Sequence, residues 1–242
     1  MLRHERTTHS GLLQQRPIEN IGVVLVTPDH SLCGALPSII NRLAMATVRE
    51  EQKRLEQQGS TPGVRFIPVG RRGRDFLARH EEPILAEFID YGDWPSFKDA
   101  TKIAHVVMNA FLKKEIDLVF LVYAKNIDAM LQQPVALQLL PVQPPAVDQS
   151  KEHKPAYTSE GDPLRIFRAL VGRYVQIQIY QALLETVASE QAAQMVAMKR
   201  ATHRANEMVQ DLTLIMNKAR QEGITMELLD IINGANMTEE YR

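Results

Sequence analysis

The sequence predicts an α/β protein: a small, mainly parallel, Rossmann-like sheet domain followed by a long C-terminal coiled-coil helix. Two observations carry this. Three apolar runs alternate with segments of helical periodicity, the signature of a parallel layer with right-handed crossovers. After Pro163 no proline occurs to the C-terminus, and an apolar stripe recurs there at coiled-coil spacing. The expected division is an N-terminal tail over 1–20, the α/β domain over 21–141, a linker loop over 142–163 and the long helix over 164–242. No internal repeat is evident.

Taken in order, residues 21–26 (IGVVLV) form a β-branched run of the kind buried on both faces of a parallel sheet, and so a central strand. Helical periodicity through Ile39, Leu43, Ala46 and Leu55 marks residues 35–58, with a stop at Gly59 and Pro62 beyond. Residues 64–69 read as a second strand, 75–80 as a short helical turn, and 83–89 as a weaker segment of unassigned type. Ser96 is an N-cap for a helix over 97–114, with Asp99 as its first-turn carboxylate. Residues 118–122 form a third buried strand, and 135–140, bounded by Pro134 and Pro141, an edge strand. The proline-rich, polar stretch 142–163 is a loop.

In the long helix the stripe is Ile177, Tyr180, Leu184, Val187, Gln191, Met195, Met198, Thr202, Ala205, Val209, Leu212, Met216 and Ala219. These positions recur every ~3.5 residues, the period of a left-handed supercoil. From Val171 to Arg220 such a helix extends roughly 75 Å, well beyond a small domain, so it leaves the globular body and needs a partner. Gln191, Thr202 and Ala205 interrupt the stripe, which disfavours a rigid homodimeric zipper. The competing reading is a surface helix packed on a large core.

A net charge of −1 over 242 residues argues against a dedicated nucleic-acid binder, and the basic clusters Arg71, Arg72, Arg74 and Lys199, Arg200, Arg204 read as solvated faces. The single cysteine, Cys33, forms no intrachain disulfide. The longest apolar run, 116–124, falls far short of the ~20 residues of a membrane helix, and MLRHERTTHSG lacks the apolar core of a signal peptide.

Cys33 lies where a strand turns into a helix, the edge where open α/β sheets place ligands, with His30 close by as a candidate base. No phosphate-cradling CxxxxxR run follows, so a structural cysteine is expected. GRRGR over 70–74 matches neither a Walker loop nor GxGxxG and reads as a strand-to-helix turn. The seven histidines are scattered without carboxylates at ligand spacing, which predicts no metal site; His105 reads as a partly buried helix residue.

Ser189–Lys199 reads SEQAAQMVAMK, and Asn217–Gln221 reads NKARQ, followed by Ile224, Thr225 and Glu227. Residues 29–34 (DHSLCG) resemble a DRGLCGG(L/F)N turn and 69–76 (VGRRGRDF) a VGRKGRDF segment. In that order the blocks closely resemble the gamma subunit, the central rotor shaft of the F-type ATP synthase, from about Ile21 to Ala235. The family's long N-terminal helix, which winds antiparallel against the C-terminal one, has no counterpart here. A mis-set gene start or a lost upstream segment is the expectation, with a degenerate paralogue as the alternative.

The resemblance implies a non-catalytic rotor with no cofactor. Arg220, Gln221, Thr225 and Glu227 match the positions that meet the catch loops of the catalytic subunits, and Leu228, Ile231 and Ile232 would sit in the apolar bearing of the head. Implied partners are the alpha and beta subunits, an epsilon-type subunit, the c-ring and the absent N-terminal helix. The α/β domain, including residues 31–41, would lie at the foot, on the cytoplasmic face of the bacterial plasma membrane. Departures from the family pattern are Ser31, Ala35 and Pro37 for Gly, Gly and Asn, Gln194 for a frequent Arg, and the trailing MTEEYR. Loss of the glycines is expected to restrict left-handed conformations, and the proline removes a donor. A second functional class is an α/β adaptor lending its helix to another helical partner; a third, a cysteine-dependent hydrolase, requires a reactive Cys33 thiolate.

Overall fold

The uninterrupted apolar run in the first strand can be satisfied only by cover on both faces, and the chain supplies it. In the computed structural model, which describes residues 11–57, 59–92, 94–128, 130–143 and 163–240, strand β1 (Asn20–Val26) sits between β2 (Gly63–Val69) and β3 (Leu118–Asn126), parallel to both. Strand β4 (Gln132–Leu140) closes one edge antiparallel to β3, giving the order β2-β1-β3-β4. Helices α1 (Leu36–Glu56), α2 (Arg71–Arg79), α3 (Phe97–Leu112) and α4 (Pro163–Glu240) complete the elements, after a short 3-10 turn over Gly11–Leu13.

Alternation along the strands sends side chains into two cores. Val23, Leu25, Phe66, Phe120 and Val122 meet α1 and α2 on one face. Val24, Val26, Ile67, Val119 and Leu121 meet α3 and the first part of α4 on the other. Both layers expected of an α/β body are present, and the mostly parallel sheet and long C-terminal helix agree with the predicted class.

Several boundaries differ from the sequence reading, each for a nameable reason. Helix α1 buries Leu36, Ile40, Ala44, Val48 and Leu55; of the periodic positions read from the sequence, Leu55 is buried and Leu43 packs on the core, whereas Ile39 and Ala46 are exposed. Asn41, at the end of the 31–41 segment, is buried on this helix. Helix α2 begins at Arg71 rather than 75, because its first turn is capped from a distance: the Asp29 carboxylate accepts the Arg71 N–H at 2.7 Å and Thr27 Oγ1 accepts the Gly73 N–H at 2.8 Å. Strand β3 runs four residues past 122, and β4 begins at Gln132, with Pro134 tolerated because this strand is the sheet's edge. The unassigned stretch after α2 pairs along the free edge of β2 through isolated parallel bridges at Ile84 and Phe88, which covers that edge without forming a strand. Ser96 caps α3 as expected, in a reciprocal box with Asp99. Most of the predicted loop over 142–163 lies outside the described residues.

Ahead of β1, Arg16 pairs with Asp117, donates to the Phe111 and Ile116 carbonyls at 2.7 Å each, and lies over the Phe111 ring. Asp117 also accepts the N–H groups of Glu19 and Asn20 at 3.0 Å each. This buried carboxylate is therefore fully engaged, as its burial requires. The chain packs as two compact units, Met1–Met195 and Val196–Arg242, so α4 belongs to both.

Candidate functional site

Within the first unit, α4 presents two different faces. Val171, Val175, Ile179, Ala182, Leu183, Thr186, Ser189 and Glu190 are buried. With 3.6 residues per turn these positions share one side of the helix. Leu170, Tyr174, Ile177 and Leu184 fall on roughly the opposite side and are exposed. The predicted stripe thus faces away from the body at Ile177 and Leu184, and it extends further toward the N-terminus through Leu170 and Tyr174. Those two were missed, although their spacing to Ile177 continues the heptad. The surface-helix reading describes the docked side of this stretch, while Ile177 and Leu184 of the predicted stripe are exposed.

Polar contacts line the buried side. The Glu185 carboxylate accepts the Asn126 N–H at 2.9 Å, and the Ser189 hydroxyl donates to the Ala124 carbonyl at 3.3 Å. Glu190 Oε1 accepts the His30 N–H at 3.1 Å and lies 3.1 Å from His30 Nδ1. Next to these, the hydroxyls of Tyr91 and Thr186 are buried without a partner among the described residues and border a cavity of about 20 Å³, room for one water. Burial, and then the Asp29 and Asp99 carboxylates, push the Tyr91 phenol well above its usual range.

The turn after β1 is structural. Cys33 is buried, its Sγ 3.7 Å from the His30 carbonyl; burial, then the Glu190 charge, raises the thiol pKa. A thiol held protonated, beside a histidine already engaged by Glu190, opposes the hydrolase reading. Gly70 has φ +104°, and a Cβ there would lie 2.0 Å from the Thr27 carbonyl oxygen, so only glycine fits this close crossing. With the N–H groups of residues 70–73 all bonded within the protein, GRRGR offers no anion cradle. The departures expected to restrict this turn are accommodated: Ala35 has φ −87°, Ser31 has no positive φ, and the left-handed residues are Leu32 and Gly34. Pro37 lies in the first turn of α1, where its missing donor has no intrahelical acceptor to lose. Gln191 and Gln194 border an open cleft of about 580 Å³ with Asp29, His30, Arg71 and Arg72.

Two histidines do have carboxylate neighbours, contrary to expectation: His30 with Glu190, and His203 with Glu207 at 3.4 Å one turn away. His105 is exposed rather than partly buried.

In the second unit every residue over 198–234 is exposed. Gln221, Thr225, Leu228 and Ile232 follow one another at i, i+4, i+7 and i+11 on one face, with Arg220, Ile224, Glu227 and Ile231 on the adjoining row. Leu228, Ile231 and Ile232 are each more than half exposed. The Thr225 hydroxyl donates to the Gln221 carbonyl at 2.9 Å, and both residues are exposed. The helix thus gathers an uncharged polar pair, an Arg and a Glu just ahead of an apolar end.

The family model described as ATP synthase matches residues 1–237. The chain is 41% identical over 224 residues to the ATP synthase gamma chain of Dehalococcoides mccartyi (strain CBDB1), covering 93% of this chain and 75% of that one. In solved structures, its fold is similar to a chain of the Tetrahymena thermophila mitochondrial ATP synthase central stalk and c-ring (TM-score 0.58, 22% identity, 83% of this chain and 86% of that one). It also resembles a chain of the Euglena gracilis mitochondrial ATP synthase OSCP/F1/c-ring assembly (TM-score 0.61, 19% identity, 96% and 79%). Motifs, fold and identity over nearly the whole chain agree, and the chain belongs to the ATP synthase gamma-chain family.

Proposed function

We propose that this chain is the non-catalytic central-stalk rotor subunit of an F-type ATP synthase, coupling ion-driven rotation to ATP synthesis or hydrolysis in the catalytic head. The observation that carries the reading is the joint one: a 41% identical gamma chain as relative, and a helix whose distal part is exposed on every side. Nothing in the comparisons favours the adaptor. Its place would be peripheral, on the cytoplasmic face of a bacterial plasma membrane; among the described residues no helix is long and apolar enough to cross a membrane.

A shaft of this kind works through asymmetry. Each angular position presents different side chains to the surrounding catalytic subunits, and differential contact energy biases their open and closed states in turn. Arg220, Gln221, Thr225 and Glu227 are the groups offered to the catch loops, and Leu228, Ile231 and Ile232 those offered to an apolar bearing. The alpha and beta subunits would surround this end, with an epsilon-type subunit and the c-ring at the α/β body. The seam from Leu170 to Ala219, half-buried at Tyr180 and Val187 and otherwise open at Leu170, Tyr174, Ile177 and Leu184, would receive an N-terminal helix.

The test is ATP hydrolysis by a synthase assembled with this chain, the N-terminal helix restored. Gln221→Leu and Thr225→Val each remove a polar contact at nearly constant size; a partner left unsatisfied costs about 1 to 3 kcal/mol, roughly 5- to 150-fold in rate. Cys33→Ala is expected to behave as wild type. Loss of activity in Cys33→Ala alone, with both tip variants unaffected, would refute these roles.

A further inference from the structure

We propose that Glu185, Ser189 and Glu190 form a clamp that fixes the rotational register of α4 on the sheet, making the C-terminal ends of β1 and β3 the place where torque passes between the α/β body and the helix. This rests on the rotor reading above. In open sheets whose strand order reverses between two neighbours, the crevice beyond those strands' C-terminal ends is the usual ligand site. Here β1 and β3 are those neighbours, and α4 fills the crevice.

The apolar contacts of Val175, Ile179 and Leu183 hold the helix against the sheet, but hydrophobic attraction is non-directional and opposes separation more than turning about the helix axis. Hydrogen bonds weaken steeply once misaligned, so they oppose turning. Glu185 and Ser189 grip the end of β3 at Asn126 and Ala124, whereas Glu190 grips the turn after β1 at His30. Around the helix these residues spread over an arc of roughly 140°, so rotation in either sense breaks one grip before it relaxes the other. Ser189 and Glu190 are buried, so a slipped register would leave a carboxylate and a hydroxyl unpaired out of water. Fixing register is the best-attested use of such buried polar groups. These are positioning residues: they touch no substrate.

The test uses the synthase assembled with this chain, comparing ATP-driven ion transport with ATP hydrolysis measured without a gradient. For Glu190→Leu combined with Ser189→Ala, hydrolysis is expected within about two-fold of wild type while transport per ATP falls about five-fold or more, because each lost grip loosens the register by a buried hydrogen bond. Glu190→Gln, whose amide oxygen still accepts the His30 N–H, is expected to retain the wild-type ratio. A merely structural role would lower assembly and both activities in proportion, and that result would overturn the clamp. So would a Gln variant as uncoupled as the Leu variant. If the double variant does not assemble, Glu185→Leu decides by the same ratio, an unchanged ratio overturning the proposal and a lowered one supporting it. A wild-type chain that fails to join the synthase would overturn the rotor reading and the clamp's role with it.

Discussion

Two stretches of α4 carry similar apolar content and meet opposite surroundings. Over residues 171–190 one side is sealed against β1, β3 and α3, with Val175, Ile179 and Ala182 fully buried. Over 198–234 every side chain is exposed, including Leu212, Ile215 and Met216. Burying one aliphatic side chain is worth about 1.5–3 kcal/mol, so the first stretch owes its helical state to packing and the second has only intrinsic propensity and its connection to the first. The difference separates a stretch whose apolar side is covered from one whose apolar residues are all uncovered.

The largest contrast is expected between matched substitutions on the two stretches. Ile179→Ala should lower stability by about 2–5 kcal/mol in chemical denaturation, because a fully buried side chain leaves a cavity. Ile215→Ala should change it by less than about 0.5 kcal/mol. Equal costs would break the comparison.

Next in size is Gly70→Ala, in the α/β body on which residues 171–190 pack. Left-handed strain, together with a clash against the Thr27 carbonyl, should cost at least about 1–3 kcal/mol, read as a lowered Tm. An unchanged Tm would show that the crossing of β1 and α2 relaxes freely.

Ser96→Ala should cost about 1 kcal/mol at neutral pH through the lost cap on α3, the helix packed beside the docked stretch. Hydrogen bonds from Ser96, and then from Lys102, hold the Asp99 pKa below its ordinary 3.8. A depressed carboxylate contributes stability above its unfolded pKa and loses it as pH falls through the folded one. The gap between wild type and Ser96→Ala should therefore narrow below about pH 4 in thermal melts. A gap that widens in acid would contradict this.

Leu212→Glu should leave the unfolding midpoint of the monomer nearly unchanged, as the site is exposed, yet reduce concentration-dependent association seen by light scattering. Association unaffected by this charge would mean that the seam is not the sticky surface.

Much of the body was legible because its signals are local. The β-branched run of β1 needs cover on both faces wherever it sits, and Ser96 and Asp99 cap α3 within four residues of chain. The start of α2 was not legible, because its cap is Asp29, 42 residues earlier. The buried positions of α1 and the docked side of α4 were not legible for a related reason. Ile39 and Ile40 are equally apolar neighbours, and only the sheet selects Ile40. In α4 the docked side mixes Ala182, Thr186, Ser189 and Glu190 with aliphatic residues, so its polar members hid it while the opposite stripe dominated the periodicity. The tip residues were visible through motif resemblance alone; their exposure is equally compatible with any amphipathic helix end.

Hydrogen exchange along α4 is the most direct measurement, made first on the chain at a dilution where it is monomeric and then in the assembled synthase. Slow exchange is expected over 171–190 in both states, with protection of about 1,000-fold or more, and fast exchange over 198–234 that becomes slow only on assembly. Strong protection of 198–234 in the free monomer, or none gained in the complex, would contradict this.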